Sequence, residues 1–479
     1  MIRKLFLLLV CGVFFLCNAA EEQKVFRVVT SADFPPYEFH EGDKIVGIDI
    51  DILREVLRRS DSKMTVEDMK FDSIIAAVQT GKGDIAASAI TVTEDRKKMV
   101  DFSIPYITAK QVIIVPQDSA VQGVSDIKGL RIGVQHGTTG DSYVTDNIGE
   151  PQRFTDASMA VAALNRNKLD VVVLDNDPAM VHVAKNPRLK ILDNPLTFEE
   201  YAFAVPKGRS ELLKILNDGL ASMHKDNSIV EIVEKYNEST KKSVDAAQDE
   251  SASGFKADFY TNFIKNERWR YLVDGFVVTI SVAFSSVLLG VLIGFVVAII
   301  RSTSDQTDKF KIANFICHIY LTVIRGTPVV LQLLIIYFVV FGTVDVDKIL
   351  VAILAFGINS GAYVAEIIRS GIMSIDRGQM EAGRSLGLNY SQTMGMVILP
   401  QALKNVLPAL GNEFIVLLKE TSVCGFIALQ DLTKGGDIIR SQTYNAFQPL
   451  IAVALVYLVM VVIFSKLLEI LEKRLKKNE

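Results

Sequence analysis

The chain has 479 residues, and its 51 Lys and Arg against 55 Asp and Glu leave no basic surplus that would attract nucleic acid. Its 49% hydrophobic content and mean hydropathy of +0.29 exceed those of an ordinary soluble chain, so part of it is expected in lipid. Five His and four Cys are too few and too scattered for a metal site or a disulfide framework, so neither is expected.

The first twenty residues have the order of a secretory signal peptide. Two basic residues precede an apolar run from Leu5 to Leu16, and the small residues Ala19 and Ala20 end the segment. A permanent anchor needs about twenty apolar residues, which this run does not reach. Residues 1–20 are therefore predicted to be cleaved, and the chain that follows is predicted to begin outside the cytoplasm.

Residues 24–240 alternate short β-branched runs with amphipathic helical stretches, the pattern of an α/β domain. Residues 241–258 are polar and small, without apolar periodicity, and this composition predicts a flexible linker. The composition then changes abruptly, because residues 259–479 contain long apolar stretches. This last part is predicted to be an all-α membrane domain.

The membrane domain contains about five candidate crossings. They are residues 272–300, 327–342, 349–372, 394–418 and 450–470, of which the fourth is the least apolar. An exported start followed by five crossings would place the C-terminus in the cytoplasm. The basic surplus of the C-terminal tail fits that position, although several basic residues before the first crossing would then lie outside.

Three motifs of the α/β domain have the chemistry needed to bind a free amino acid. Its adjacent carboxylate and ammonium require a bidentate cation, backbone donors and an acceptor on the opposite wall. Arg96 stands on a turn after an apolar strand, and Asp175 ends another strand. Between them, residues 133–141 lead from a strand through Gly-Thr-Thr-Gly into a predicted helix, whose free N–H groups attract anions.

Each of these motifs also has a purely structural interpretation. An arginine such as Arg96 usually forms a surface ion pair, and Gly-Thr-Thr-Gly is usually only a turn. Asp175 could cap a helix, while Phe34 and Phe71 could be core aromatics. The residues taken singly leave these alternatives open.

In combination, the motifs indicate a known family. The stretches SADFPPYEF, VGIDIDI, MKFDSIIAAVQTGKGDIAASAITVTEDRKKMVDFSIPY, GVQHGTTGDSY and DVVVLDNDPA lie within residues 28–206. This region resembles the family 3 extracellular solute-binding proteins, which serve polar amino acid ABC transporters. The resemblance implies two lobes that close on one amino acid, near 24–112 with 201–236 and near 113–200.

The resemblance also implies which residues would contact the amino acid. They are Phe34 and Phe71 by stacking, Ser88, Ala89 and Thr91 by hydrogen bonds, Arg96 and Thr138 on the carboxylate, and Asp175 on the ammonium. Ser31 stands where some relatives carry an acidic residue, and Gln135 where some carry lysine. Because a second cation would lack a partner at Ser31, a polar amino acid such as glutamine is favoured over a basic one.

From about residue 275 to the end, the chain resembles the permease subunit of the same transporters. EAGRSLG, followed by VILP, keeps the spacing of their cytoplasmic signature, with glycine for the second alanine and valine for the usual isoleucine. Physically, this pattern predicts a short helix at the inner face that a partner can grip. In the family that partner is an ATP-hydrolysing subunit, and the residues implied in the coupling are Glu381, Ala382, Gly383 and Gly387.

The expected function is ATP-driven import of a polar amino acid, not enzymatic catalysis. No GxxxxGK[ST] phosphate loop is present, so we expect no cofactor on this chain and ATP hydrolysis on a separate subunit. A second permease subunit, identical or related, is expected to complete the path across a bacterial inner membrane. The alternatives are an amino-acid-gated ion channel, against which the uninterrupted binding domain and the lack of a filter such as TVGYG argue, and a transmembrane amino acid sensor.

Overall fold

The computed structural model describes residues 23–42, 44–249, 255–307, 310–342, 344, 346–443, 445 and 447–476. The predicted signal peptide lies outside these residues. A two-lobed α/β domain comes first and a helical membrane domain follows, which confirms the fold class predicted from the sequence.

The α/β domain contains three β-sheets within the described residues. Its strands are β1 Val25–Thr30, β2 Asp33–Phe34, β3 Glu38–Glu41, β4 Lys44–Val46, β5 Lys63–Asp68, β6 Ile85–Ala86, β7 Val100–Phe102, β8 Ile107–Pro116, β9 Ile132–Gln135, β10 Gln152–Phe154, β11 Val171–Asp175, β12 Leu189–Ile191, β13 Thr197–Tyr201 and β14 Ala204–Pro206. Lobe one has the strand order β5-β1-β6-β14-β7, and lobe two has β10-β9-β11-β8-β12 with β13 also paired to β8. The strands β2, β3 and β4 form a small sheet of their own.

The chain passes between the lobes twice, from β7 to β8 and from β13 back to β14. The antiparallel pairing of β8 and β13 begins at Ile107 opposite Tyr201. The predicted boundary between residues 112 and 113 therefore falls inside β8, which continues unbroken to Pro116. The residues of β8 stay apolar where the strand passes from lobe one into lobe two, so the sequence does not mark the boundary between the lobes.

The helices of the α/β domain cover the sheets. They are α1 Ile48–Arg59, α2 Phe71–Gln79, α3 Glu94–Met99, α4 Thr139–Asn147, α5 Ala157–Asn165, α6 Asn176–Ala184, α7 Ser210–Lys225 and α8 Ser228–Asp249. Helix α1 buries Ile48, Ile52 and Val56, which recur every four residues on one face. Helix α8 continues through residues 241–249, so this part of the predicted linker is helical; it contains no Pro or Gly that would stop propagation.

The described residues of the membrane domain form helices joined by short turns and contain no β-strand. Its α-helices are α9 Phe255–Phe259, α10 Trp269–Thr307, α11 Lys311–Gly326, α12 Val329–Ile335, α13 Lys348–Met373, α14 Arg377–Ser385, α15 Tyr390–Thr393, α16 Leu399–Glu420, α17 Leu432–Thr443 and α18 Phe447–Lys476. Wider π turns extend α12 over Ile336–Val340 and precede α16 over Met394–Ile398. Among the described residues, 3 helices are long and apolar enough to cross a membrane: Trp269–Ser304, Lys348–Met373 and Phe447–Leu475.

Two of the predicted crossings differ from the structure in detail. The second predicted crossing, residues 327–342, falls on the later part of a bent pair of helices, Lys311–Gly326 and Val329–Val340. The two helices meet at 109° and make a fourth crossing if the pair is one span. The bend falls at Pro328, which has no N–H to continue the helix. The fourth predicted crossing corresponds to α16, a helix of 22 residues that is not among the three apolar helices.

Helices α10 and α13 pack closely at glycines, as the small pair Gly290 and Gly294 predicts. A Cβ added at Gly290 would lie 2.8 Å from Ser360 Oγ, and one at Gly294 would lie 2.6 Å from Val364 Cγ1. Larger residues at these positions would force the two helices apart.

Candidate functional site

A cavity lies between the two lobes. The residues that line it are Ser31, Asp33, Phe34, Phe71, Ser88, Ala89, Thr91, Arg96, Gln135, Thr138, Thr139 and Asp175. All eight residues that the family resemblance implied are therefore brought to one cavity. They come from five separate stretches of the chain, which meet because the two lobes face each other across the two crossing points.

Arg96 connects the two lobes. It lies in the first turn of α3, where its backbone N–H donates to Thr93 Oγ1 at 3.2 Å. Its Nη1 donates to the carbonyl of Thr91 in lobe one at 2.9 Å, and its Nη2 donates to the carbonyl of Gly137 in lobe two at 3.0 Å. The guanidinium also lies 5.6 Å from the centre of the Phe71 ring. It is therefore held in the cavity wall rather than in a surface ion pair.

Asp175 faces the cavity and does not act as a helix cap. It precedes α6, but its side chain accepts no cap hydrogen bond; instead it accepts a hydrogen bond from the hydroxyl of Tyr201. Burial, and next the nearby Glu199, raise the pKa of Asp175 to about 7, against the hydrogen bonds from Tyr201 and Gln111. A buried carboxylate without a cation is suited to receive an ammonium group.

Glu199, which the sequence did not single out, joins the lobes beside the cavity. Its Oε2 accepts from Thr91 Oγ1 at 2.6 Å and from Thr139 Oγ1 at 2.7 Å. The hydroxyl of Thr138 is used differently, since it donates to the carbonyl of Gln135 at 2.8 Å and caps α4. Glu199 stands next to a second acid, Glu200, in the strand sequence TFEEY, so by sequence it resembles a solvent-facing residue.

Ser88 and Ala89 are tied to buried carboxylates of lobe one. Ser88 Oγ donates to Glu38 Oε1 at 3.0 Å, and the N–H of Ala89 donates to Asp49 Oδ2 at 2.7 Å. Ala89 has a positive φ of 44°, which turns the backbone at the cavity wall. Burial raises the pKa of Asp49 to about 7 and that of Glu38 well above its usual value.

Asp33 is a second residue of the cavity that the sequence analysis missed. Its Oδ1 accepts a hydrogen bond from Ser31 Oγ at 3.0 Å. Burial first, and then Asp156, raise the pKa of Asp33 to about 6, while Lys70 and Lys434 oppose the shift. The family resemblance made Ser31 the expected place for an acid, but the acid in the cavity wall lies two residues further along the chain, at Asp33.

Helix α17 of the membrane domain forms a buried ion pair with lobe two. Arg440 Nη2 lies 2.7 Å from Asp156 Oδ2 and 2.9 Å from Asp437 Oδ1. The side chains of Arg440 and Asp156 are only 4% and 1% exposed, so water does not screen the pair. Burial opposes ionisation of Asp156, but Arg440 and then Lys70 outweigh it and lower its pKa.

The same helix pairs with lobe one. Lys434 Nζ lies 2.7 Å from Asp68 Oδ2, and Lys70 Nζ lies 3.1 Å from Asp437 Oδ2. His40 Nε2 also contacts Asp68 at 2.9 Å. Burial by itself raises the pKa of Asp68, but Lys434 and His40 outweigh it and hold this pKa well below its usual value. We call the ion pairs of α17 with both lobes the docking surface.

The residues implied in coupling lie on and just after α14, which Asp376 caps by accepting from the N–H of Gly378 at 2.6 Å. A Cβ at Gly383 would lie 2.4 Å from Thr393 Cγ2, so the contact with α15 explains why glycine replaces the usual alanine. Gly387 has a positive φ of 85° and ends the turn. Glu381 lines a neighbouring cleft with Arg377.

Helix α13 separates the coupling segment from the binding domain. Its first residue, Lys348, pairs with Glu67 of lobe one at 2.6 Å, and its last turn leads into α14. The 26 residues of α13 span about 39 Å at 1.5 Å per residue. The α14 segment therefore lies at the end of the membrane domain remote from the binding domain.

Within the described part of the chain, no group of three or more His, Cys, Asp or Glu side chains is arranged to hold a metal ion. The chemistry of the interlobe cavity is that of a binding site, with one cation and carboxylates on opposite walls. The fold and the site together define a solute-binding domain attached to a membrane domain.

Comparison with known proteins agrees with this class. Residues 26–239 match the bacterial extracellular solute-binding proteins of family 3, and residues 286–477 match the inner membrane component of binding-protein-dependent transport systems. The arginine transport system permease protein ArtQ of Bacillus subtilis is 36% identical over 211 residues, which cover 44% of this chain and 94% of ArtQ. The glutamine transport system permease protein GlnP of Escherichia coli K12 is 36% identical over 208 residues, 43% of this chain and 93% of GlnP.

Solved structures similar to the binding domain include a mutant of the arginine-binding protein of T. maritima. It is 39% identical, with a TM-score of 0.43, and the match covers 45% of this chain and 95% of that one. The chain belongs to the inner membrane permeases of binding-protein-dependent amino acid transport systems, with a family 3 solute-binding domain fused before the permease.

Proposed function

We propose that this chain is the fused binding and permease subunit of an ATP-driven importer of a polar amino acid. The observation that carries the proposal is that one helix, α17, pairs with Asp156 of lobe two and Asp68 of lobe one at the same time. A helix of the membrane domain that contacts both lobes would recognise their closed arrangement, in which the cavity encloses its ligand. In that arrangement, Arg96 would hold the ligand's carboxylate and Asp175 its ammonium.

The energy source is proposed to be a separate ATP-hydrolysing subunit that grips the α14 segment. Its support is the position of Glu381 and Gly383 at the end of the membrane domain remote from the binding domain. A second permease half, identical or related, would complete the path. The protein would lie in the cytoplasmic membrane of a bacterium, with the binding domain outside and α14 inside.

The test is amino acid uptake into proteoliposomes. They contain the complete assembly, isolated from its own membranes by affinity purification of this full chain together with the subunits bound to it. We expect uptake to require ATP on the side of α14. Substitution Glu381→Lys, which reverses a charge on the segment, should reduce uptake at least about tenfold while the affinity for the amino acid stays unchanged. Uptake without ATP, or an ionic current opened by the amino acid, would overturn the proposal in favour of another transporter class or a channel.

A further inference from the structure

A cleft separates lobe two from the last membrane helix and lies beside the docking surface. Helix α5 and the turn after it form one wall, and α17 with the start of α18 forms the other. Helix α18 is one of the 3 helices that are apolar enough to cross a membrane, and its apolar span begins at Phe447. This α5–α18 cleft therefore lies where the span enters the hydrocarbon layer.

The wall of the α5–α18 cleft has cations and no acid. Among the described residues that line it, Arg166, Lys168 and Arg440 are positively charged, and none is Asp or Glu. The side chains of Arg166 and Lys168 are exposed, and neither forms an ion pair with a described carboxylate. The Arg166 guanidinium lies 5.5 Å from the centre of the Phe447 ring, which holds its charge at the start of α18.

Arg440 has hydrogen-bond donors that the docking surface does not use. Its Nη2 makes the ion pairs with Asp156 and Asp437. Its Nε and Nη1 are buried and have no hydrogen-bond partner among the described residues. A buried N–H group without an acceptor costs free energy, so an acceptor is expected from a molecule in the cleft that Arg440 lines.

An exposed apolar stripe on α18 continues from the cleft along the membrane span. Ile451, Leu455, Leu458 and Val462 follow one another at intervals of three or four residues, so they lie on one face of the helix. Each of these side chains is between 43% and 57% exposed. Because Ile451 also lines the cleft, the stripe and the cations form one continuous surface.

A surface that is cationic at one end and apolar along its length fits an amphiphile with a negative headgroup. We infer that the α5–α18 cleft binds an anionic phospholipid from the leaflet on the side of the binding domain. Its phosphate lies at Arg166, Lys168 and Arg440, and an acyl chain lies along the stripe from Ile451 to Val462. Phosphate oxygens are strong acceptors for guanidinium N–H groups, so the headgroup supplies what Arg440 lacks.

Two other occupants fit the cleft less well. A free anion would leave the apolar stripe uncovered. An apolar helix of a second permease half would cover the stripe but would offer no acceptor to the N–H groups of Arg440.

The test is native mass spectrometry of the full chain in detergent, titrated with phosphatidylglycerol or with phosphatidylcholine of the same acyl chains. Both lipids contain a phosphate, but the choline group adds a cation that three cations in the cleft would repel. We expect one phosphatidylglycerol to bind at least about tenfold more tightly than phosphatidylcholine. The double substitution Arg166→Gln with Lys168→Gln should weaken this binding at least about tenfold and remove the preference.

Two double variants serve as controls. Arg166→Lys with Lys168→Arg keeps both charges and should keep the preference for phosphatidylglycerol. Lys128→Gln with Arg188→Gln removes the same residue types from exposed positions of lobe two outside the cleft, and it should leave lipid binding unchanged. Calorimetry with the amino acid checks that the glutamine variant of the cleft is folded, because neither of its residues lines the interlobe cavity.

Equal affinity for the two lipids, or an unchanged preference in the variant with Arg166→Gln and Lys168→Gln, would overturn the inference. Displacement of phosphatidylglycerol by inorganic phosphate would also overturn it, because the occupant would then be a free anion. Photoreactive benzoylphenylalanine in place of Leu455 should cross-link to lipid in the membrane. A cross-link to a second protein chain instead would assign the stripe to another permease half. None of these outcomes bears on amino acid import.

Discussion

The interlobe cavity and the docking surface bury the same residue type in opposite electrostatic states. In the cavity, burial raises the pKa of Asp175 to about 7, since no cation of the described residues pairs with it. On the docking surface, Lys434 and Arg440 outweigh burial and lower the pKa values of Asp68 and Asp156. A carboxylate buried without a cation is costly for the protein alone, whereas a paired one is already satisfied.

The difference separates a site prepared for a ligand from a contact that is complete without one. On the proposed assignment, Asp175 gains a cation only when the ligand's ammonium group binds, so ligand binding and cavity closure would stabilise each other. Arg440 and Asp156 are paired without a ligand, and their ion pair connects the binding domain to the membrane domain. Three predictions test this division, from the largest expected effect to the smallest.

Replacing Arg96 with alanine should have the largest effect. The ligand's carboxylate would lose its cation, and the guanidinium that connects Thr91 with Gly137 across the lobes would be gone. Loss of one partner from a buried charge pair costs about 2–5 kcal/mol, so affinity should fall about 30-fold or more. Calorimetry on the full chain measures this change.

The control for that experiment is Arg209→Ala. Arg209 pairs with Asp84 at 3.5 Å, but its side chain is 50% exposed and does not line the cavity. Its loss should change affinity less than about threefold, because exposed pairs contribute about 1 kcal/mol or less. Equal affinity of the Arg96→Ala variant and the unsubstituted chain would discard the carboxylate assignment.

Replacing Arg440 with alanine should break the docking surface and spare the cavity. Asp156 would be left buried beside Asp437 without its main cation. We expect the maximal uptake rate to fall about tenfold or more, with the affinity for the amino acid unchanged within about twofold. Uptake kinetics in proteoliposomes and calorimetry measure the two quantities separately.

An exposed ion pair on the same lobe provides the comparison. Arg131 pairs with Asp170 at 2.7 Å, with side chains 50% and 34% exposed. Arg131→Ala should leave uptake nearly unchanged, since solvent screens such a pair. If the Arg440 variant lost as much amino acid affinity as uptake, the interlobe cavity and the docking surface would act as one site, and the prediction that they act separately would be wrong.

The pH dependence of binding should show the smallest effect. Because the pKa of Asp175 is about 7 in the empty cavity, a ligand ammonium that needs the ionised form must displace a proton at lower pH. Affinity should be constant above about pH 8 and fall towards pH 6, by up to about tenfold per pH unit. The ion pairs of Asp68 and Asp156 stay formed over this range, because the pKa values of both residues are lowered.

Calorimetry in two buffers of different ionisation enthalpy would count the released protons. Release of about one proton at pH 6 is expected, and Asp175→Asn should abolish it. Binding that strengthens as pH falls, or that releases no proton, would contradict the assignment of Asp175 to the ammonium.

Much of the fold follows from local pattern. Strand β1 and helix α1 have the periodicities of a buried strand and of an amphipathic helix, and the structure confirms the two-lobed α/β class followed by a helical membrane domain. The bend between α11 and α12 was missed, because two apolar helices that meet at 109° have the same composition as one helix and a loop.

The site was only partly accessible to sequence reasoning. Residues inside distinctive motifs, such as Arg96 and Asp175, were found and meet in one cavity. Asp33 and Glu199 were missed, because an acid within a short strand is indistinguishable by sequence from a solvated one until its neighbours in space are known. Whether the residues at the cavity bind the amino acid stays a prediction.

The sequence by itself determined the order of the domains, the apolar helices and the chemistry available for binding, since these depend on composition and spacing along the chain. Only the tertiary structure decided which carboxylates have cations and which do not. Asp156 and Arg440 are separated by most of the chain and meet only because lobe two rests on helix α17. Charge pairing depends on distance in space, which the order of residues does not specify.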